Sequence, residues 1–233
     1  MGRAPPIPVP FVVWAATAAM LAWLVAALAC LRQRGSPDPW ARLDLYSGGF
    51  LLLAGVAGIA QATTLLRSAL RSNAVAAEAL GLSYDPGVLI VMVVLEPGKF
   101  VVLLDYAHWH LLPALEQPAL QRLGLALGVV GTGLLVWTDT WLARHFASDA
   151  AAATLMTRGP YRLIRHPRYA SFLLLGLASS LVFASILGWP LWLLLLVAIG
   201  HRMRLEEAHM RELFGGGYEA YAGRTARLMP GIY

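Results

Sequence analysis

The sequence predicts an all-α fold: a polytopic integral membrane helical bundle with about five to six transmembrane helices, including a C-terminal helical hairpin. Three observations predict it. The chain has 233 residues, of which 58% are hydrophobic and 13% charged, far too apolar for a soluble domain. Its apolar residues gather in runs comparable to the roughly 20 residues that cross a hydrocarbon core of about 30 Å. Finally, residues 169–200 contain no Asp, Glu, Lys or Arg, and as one helix that stretch would extend about 48 Å and overshoot the bilayer. A tight hairpin resolves the excess length.

The elements follow in order. A first passage covers about 11–31, and a second about 45–66, with a polar link holding Gly35, Pro37, Asp38 and Pro39 between them. The apolar run after Pro10 is too long for a cleaved signal peptide and lacks a clear cleavage site, so it reads as a retained first span. The third passage, about 87–112, is interrupted by Glu96-Pro97-Gly98-Lys99, which implies a kink or a partly unwound helix. The fourth covers about 120–143, with Asp139 near its end. The hairpin arms complete the set, with a turn expected near 185–190, where Gly188, Trp189 and Pro190 cluster. The second arm is expected to extend into the polar helix that follows. No repeat or low-complexity tract is evident.

Charge distribution sets partners and sidedness. The formal charge of +5 resides on arginines at the ends of apolar segments, where they meet anionic headgroups and the cytoplasmic face. No DNA-binding pattern accompanies it, so nucleic acid is not an expected partner. With both termini inside, 13 of the 18 Lys and Arg residues face the cytoplasm, in keeping with the positive-inside rule. Arg32, Arg34 and Arg42 then lie outside, which leaves open a topology with the first span reversed and the third passage re-entrant. Cys30 is the single cysteine, which excludes disulfides within the chain and cysteine-based metal sites.

Residues 158–169, Arg-Gly-Pro-Tyr-Arg-Leu-Ile-Arg-His-Pro-Arg-Tyr, place four arginines, a histidine and two tyrosines between apolar segments. Prolines and a glycine punctuate the run, which suits a shaped anion-binding pocket; a plain basic loop that sets topology is the alternative. The hairpin returns residues 201–207 to the same membrane side. On a helix Arg202 and Glu206 share a face while Glu207 is turned about 100° away, so the two glutamates need not share a role. Taken alone, Arg202 and Glu206 read as an exposed i,i+4 ion pair worth about 0.3–0.5 kcal/mol.

Other polar residues within the spans have simpler readings. Glu96 and Lys99 pair with each other at a kink, or contact substrate. Asp105, His108 and His110 read as interfacial, since His-x-His does not put both rings on one helical face and no further metal ligands are at hand. Asp139 pairs with Arg144 or approaches the charged site. Trp109, Trp137, Trp141, Trp189 and Trp192 read as bilayer or packing residues.

Taken together, Gly159-Pro160-Tyr161-Arg162, Arg165-His166-Pro167-Arg168-Tyr169, Arg202 with Glu206-Glu207, and then Phe214-Gly215, Tyr218, Tyr221 and Pro230 resemble the isoprenylcysteine carboxyl methyltransferase family and the similar phospholipid methyltransferases. The resemblance covers about 141–230. It implies an integral membrane enzyme with S-adenosyl-L-methionine in a cytoplasmic cofactor pocket, outside the Rossmann-type fold. Carried over position by position, Thr154, Leu155, Met156, Tyr161, His166, Pro167, Arg168, Tyr169 and Glu206 match cofactor-contacting positions. Arg202 matches a position associated with the methyl acceptor, His166 is a candidate catalytic group, and Arg224 and Arg227 fall in a basic tail. No metal is implied.

On this reading a methyl group moves to a carboxylate or other heteroatom of a lipophilic acceptor, which enters from the bilayer. A carboxylate needs no general base, whereas an amine or phenol needs one such as His166 or Glu207. The chain divides into N-terminal helices at 1–112, a candidate for selecting the acceptor, and a methyltransferase core at 113–233. The Ala-, Leu- and Arg-rich composition hints at a bacterial source, hence an inner membrane with the site facing the cytoplasm. Two positions depart from the family pattern: Ser171 stands where glycine is frequent, and Gly215-Gly216-Gly217 replaces an acidic pair. A membrane NADPH-dependent sterol- or steroid-type reductase is the alternative enzyme, and a small transporter or scaffold the non-enzymatic one.

Overall fold

The computed structural model describes residues 45–70, 98–99, 101–109, 111–145 and 154–231. Their regular elements are all helices, with one isolated parallel β-bridge between Ile164 and Ala226. Helix α1 is Leu45–Leu70, α2 Pro118–His145, α3 Pro167–Val182, α4 Gly188–Phe214 and α5 Gly216–Ala222. The second and fourth expected passages are thus α1 and α2, and the hairpin is α3 and α4. The first passage, Cys30, Glu96 and His110 lie outside the described residues.

Helix α2 is the spine, packed most extensively against α3 and next against α1. Close approach comes from glycines spaced to face one neighbour. A Cβ on Gly124 would lie 2.9 Å from the Leu181 side chain and the Val182 backbone, and one on Gly131 would meet Leu174 and Leu175 at 3.1 Å. Seven residues separate these glycines, two helical turns on the same face, and this allows the two backbones to approach without a side chain between them. One core cluster joins Phe50 of α1, Val102, Leu103 and Tyr106, and Ala178, Val182 and Phe183 at the end of α3. A second cluster of Leu173, Leu195, Ile199 and Met203 ties the hairpin arms together.

The hairpin turn occupies residues 183–187, slightly before the expected 185–190. Gly188, Trp189 and Pro190 instead form the first turn of α4, where a proline costs no intrahelical hydrogen bond. Gly188 is required by contact: a Cβ there would sit 2.2 Å from Ser180 Oγ. The turn closes through Ser185 N–H donating to the Ser180 carbonyl at 3.0 Å, with Ala184 at φ 47°. As expected, α4 continues without a break from apolar into polar sequence.

Asp105 corrects an expectation. It is buried, 2% exposed, rather than interfacial, and opens a π-helical turn at Asp105–Trp109. Its carboxylate accepts from Ser185 Oγ at 2.7 Å and from the Leu111 N–H at 3.2 Å, while Ser185 Oγ accepts from the Gly188 N–H at 3.3 Å. A buried carboxylate needs such donors, and here they fasten the third passage to the hairpin turn.

Among the described residues, one helical stretch, Pro118–Arg144, is long and apolar enough to cross a membrane, and Leu45–Gln61 and Pro167–Val182 are shorter apolar helices.

Candidate functional site

The loop ahead of α3 is shaped by backbone constraints. Gly159 has φ +62°, and a Cβ on it would penetrate the Trp141 ring at 2.5 Å; glycine alone satisfies both demands. Pro160 is buried and begins the 3₁₀ turn Gly159–Arg162. The chain after α5 then pairs with this loop. Arg165 N–H donates to the Ala226 carbonyl at 2.8 Å and His166 N–H to that of Arg227 at 3.0 Å. Arg165 Nη1 reaches the Ala222 carbonyl at 2.7 Å, and the Tyr221 hydroxyl donates to the Tyr161 carbonyl at 2.7 Å. Tyr221 is therefore an anchor. So is the buried Tyr218, against whose ring Arg211 lies at 5.7 Å.

His166 stands just outside α3 at φ −125°, ψ 60°, with Pro167 following. Proline disfavours a helical conformation for the residue before it, so the imidazole is turned toward α4 instead of along α3. There it meets both glutamates, with Nδ1 3.6 Å from Glu206 and Nε2 3.3 Å from Glu207. The Tyr169 hydroxyl donates to Glu206, and Arg202 Nε donates to the same Glu206 oxygen at 2.9 Å while lying 3.3 Å from the Tyr169 hydroxyl. The His166 and Tyr169 rings stack at 5.8 Å.

Glu207, one residue on, is the centre of a separate network. It is 1% exposed and takes both branches of the Arg227 guanidinium at 3.0 and 2.8 Å. Arg165 Nε lies at 3.3 Å and Arg211 at 3.6 Å. Such a fork is the strong geometry for a buried carboxylate. On the other side of the loop, Arg168 Nε is 3.3 Å from Asp139 on α2, and Arg168 also covers Phe172.

Comparison with known proteins follows from this core. Residues 119–217 match the phospholipid methyltransferase family. The chain is 34% identical over 147 residues to a probable protein-S-isoprenylcysteine O-methyltransferase of Oryza sativa subsp. indica, an alignment covering 58% of this chain and 77% of the relative. A relative of the same description from Oryza sativa subsp. japonica gives the same figures. The chain belongs to the isoprenylcysteine O-methyltransferase-like family. It is a methyltransferase, which displaces the reductase and scaffold alternatives.

In this isoprenylcysteine O-methyltransferase-like protein the two motif segments, 37 to 41 residues apart in the contacts His166–Glu207 and Tyr169–Glu206, form one charged cluster. Tyr161, His166, Pro167, Arg168, Tyr169, Arg202 and Glu206 are gathered at the loop and the α3–α4 end. Thr154, Leu155 and Met156 precede the loop, the first exposed and the others half-buried. Arg224 is exposed and donates to the Ala220 carbonyl of its own segment; Arg227 is the member of the basic tail that reaches the site. Ser171, in place of glycine, is buried and its hydroxyl donates to the Arg168 carbonyl at 2.7 Å. Gly215 has φ 51° and ψ −126°, a conformation suited to glycine, and breaks the chain between α4 and α5.

Electrostatics separate the glutamates. Burial alone raises the Glu207 carboxyl, but hydrogen bonds from His166 and Arg227 and the charges of Arg165 and Arg227 hold it at about 2. Burial also opposes ionisation of Glu206, and hydrogen bonds from His166 and Tyr169 with the Arg202 charge keep it below the usual range. Burial pushes the His166 imidazole down, yet hydrogen bonding to Glu206 and Glu207, and their charges, leave it above the ordinary histidine value. A carboxylate held this far down is a poor general base at neutral pH, so Glu207 reads as the electrostatic anchor of the loop. Arg165 was not singled out from sequence; its position beside His166 was the available signal.

Proposed function

We propose that this protein is an integral membrane enzyme that moves a methyl group from S-adenosyl-L-methionine to a carboxylate on a lipophilic acceptor, at a site on the cytoplasmic side. The observation that carries the reading is the convergence of Tyr169, Arg202 and His166 on Glu206. Glu206 keeps 28% of its side chain exposed, so it is the acidic group of the cluster open to an incoming ligand.

The donor and acceptor set suits the cofactor's functional groups. Glu206 would accept from its ammonium, an arginine of the cluster would fork onto its carboxylate, and Tyr161 with the stacked His166 and Tyr169 rings offers surfaces and edges for a purine. Thr154, Leu155 and Met156 remain expected contacts by family position. When bound, S-adenosyl-L-methionine supplies an electrophilic methyl carbon on sulfur. Arg202, 7% exposed, would hold the acceptor carboxylate in line and exclude water, and most of the rate would come from that positioning. Carboxylates face both His166 ring nitrogens, at 3.6 and 3.3 Å, and this geometry suits the imidazolium form. An imidazolium cannot remove a proton, which favours an acceptor already ionised over an amine or phenol.

The bilayer supplies the setting. Leu52, Val56 and Ile59 on α1, Val129 and Val130 on α2, and Leu193, Leu194 and Val197 on α4 are all at least half exposed, as lipid-facing residues of a bundle are and those of a soluble core are not. The charged cluster lies at the end of α4 beyond this band. With the positive-inside rule that end faces the cytoplasm, where the water-soluble cofactor is available and an acceptor can arrive laterally between α-helices.

The test is calorimetric binding of S-adenosylhomocysteine and, separately, NADPH to the purified protein in detergent. Saturable binding of the first, lost in Glu206→Ala, is expected. Binding of NADPH alone would overturn the proposal.

A further inference from the structure

Two carboxylates beside the motif loop are equally buried and unequally satisfied. Glu207 is surrounded by four cationic side chains and receives aligned hydrogen bonds on both oxygens. Asp139 is 0% exposed, and among the described residues neither of its oxygens accepts a hydrogen bond, although Arg168 Nε lies 3.3 Å from Oδ1. Leaving a buried carboxylate in that condition leaves its desolvation uncompensated, so a purely structural role is poorly served by this geometry. A ligand that donates to Asp139 removes the cost.

The surroundings indicate where that ligand belongs. Asp139 is on α2, two residues before Trp141, which carries the Gly159 turn. Arg168, its partner, immediately precedes Tyr169, whose hydroxyl is on Glu206. Asp139 and Glu206 are thus met by consecutive residues at the start of α3, Arg168 and Tyr169, and a single elongated ligand can meet both carboxylates. Arg168 is 20% exposed while Asp139 is closed off, so the approach is from the Arg168 side.

Pair neutrality selects the chemistry. The Arg168 guanidinium already balances the Asp139 charge, so a further cation gains little, whereas neutral hydroxyl donors gain short charge-assisted hydrogen bonds. Two vicinal hydroxyls offer two donors to the two oxygens. We propose that Asp139 is a ligand-binding residue whose carboxylate accepts hydrogen bonds from the ribose hydroxyls of the nucleoside half of the cofactor, while Glu206 takes the amino-acid half. This rests on the cofactor reading above and adds to it a subsite contributed by α2.

The experiment measures Kd by calorimetry for S-adenosylhomocysteine and for its 2′-deoxy and 3′-deoxy analogues, with wild-type protein and Asp139→Asn. Wild type should bind at least one deoxy analogue about 10- to 100-fold more weakly than the parent, and Asp139→Asn should weaken the parent by a similar factor while losing most of the discrimination. Equal affinity of wild type for parent and both analogues overturns the assignment, and this arm stands even if the variant does not fold. Unchanged discrimination in a folded Asp139→Asn overturns it as well. If wild type does not bind S-adenosylhomocysteine at all, the cofactor reading itself falls, a result distinct from the other two.

Discussion

Glu206 and Glu207 hold His166 between them: the imidazole presents Nδ1 to one carboxylate at 3.6 Å and Nε2 to the other at 3.3 Å. Both ring nitrogens facing carboxylates is a geometry for imidazolium, in which both are donors. Histidine thereby joins a partly exposed glutamate to a buried one, and ties the loop before α3 to α4.

The pH dependence has a defined sign. The folded-state pKa of His166 is above its unfolded value, so its contribution to stability is complete below about 6.5 and is lost as pH rises through the raised value. Glu207 acts oppositely, contributing fully above about 4.5 and losing its contribution as pH falls toward about 2. Thermal melts of the purified protein should therefore drop as pH rises above about 6.5, and His166→Gln should flatten that drop. An equal slope in the variant would assign it elsewhere.

Substituting Glu207 should be more damaging than substituting any one arginine around it. Glu207→Gln leaves Arg165 and Arg227 without their shared carboxylate in a buried setting, a loss of about 3–5 kcal/mol for breaking such a pair. Arg227→Gln leaves Glu207 with Arg165, Arg211 and His166, and Arg227 is 21% exposed, so about 1–2 kcal/mol is expected. Denaturant unfolding monitored by tryptophan fluorescence gives the order; a larger effect at Arg227 would contradict the hub.

Arg202 and Glu206 should not behave independently. Arg202 Nε bonds the Glu206 oxygen that also receives the Tyr169 hydroxyl, so Arg202→Ala loosens the carboxylate expected to hold the cofactor. Glu206→Ala is expected to weaken S-adenosylhomocysteine by about 100-fold or more, Arg202→Ala by about 10-fold or less, and the double variant by less than the product, a coupling of about 0.5–3 kcal/mol. Multiplicative effects in the cycle would show that the two act separately.

Much of this arrangement was legible in the sequence, for identifiable reasons. The length of the charge-free stretch at 169–200 forces a hairpin, and a hairpin must bring Glu206 back beside Tyr169. Helical spacing alone separated Glu206 from Glu207. What the sequence did not carry were choices made in three dimensions. Asp139 had two available arginines, Arg144 and Arg168, and took the one on a different helix. Asp105 reads as interfacial from its neighbours, and is buried because Ser185, 80 residues away, supplies a donor. The pairing of 226–227 with 165–166 is made by backbone groups, which leave no side-chain pattern.

The Asp105–Ser185 contact yields a last prediction that separates fold from site. Ser185→Ala removes one donor to a carboxylate that keeps the Leu111 N–H, and the Gly188 N–H loses its acceptor, so about 1–2 kcal/mol should be lost. Asp105→Ala leaves the Ser185 hydroxyl and the Leu111 N–H without their acceptor and should cost about 1–3 kcal/mol. Because the clasp joins the third passage to the hairpin turn, at the opposite end of α3 and α4 from Glu206, S-adenosylhomocysteine affinity should stay within about twofold in both variants at temperatures where they remain folded. A loss of affinity well beyond that, with the folded fraction unchanged, would mean that the turn and the ligand site are mechanically linked through the hairpin arms.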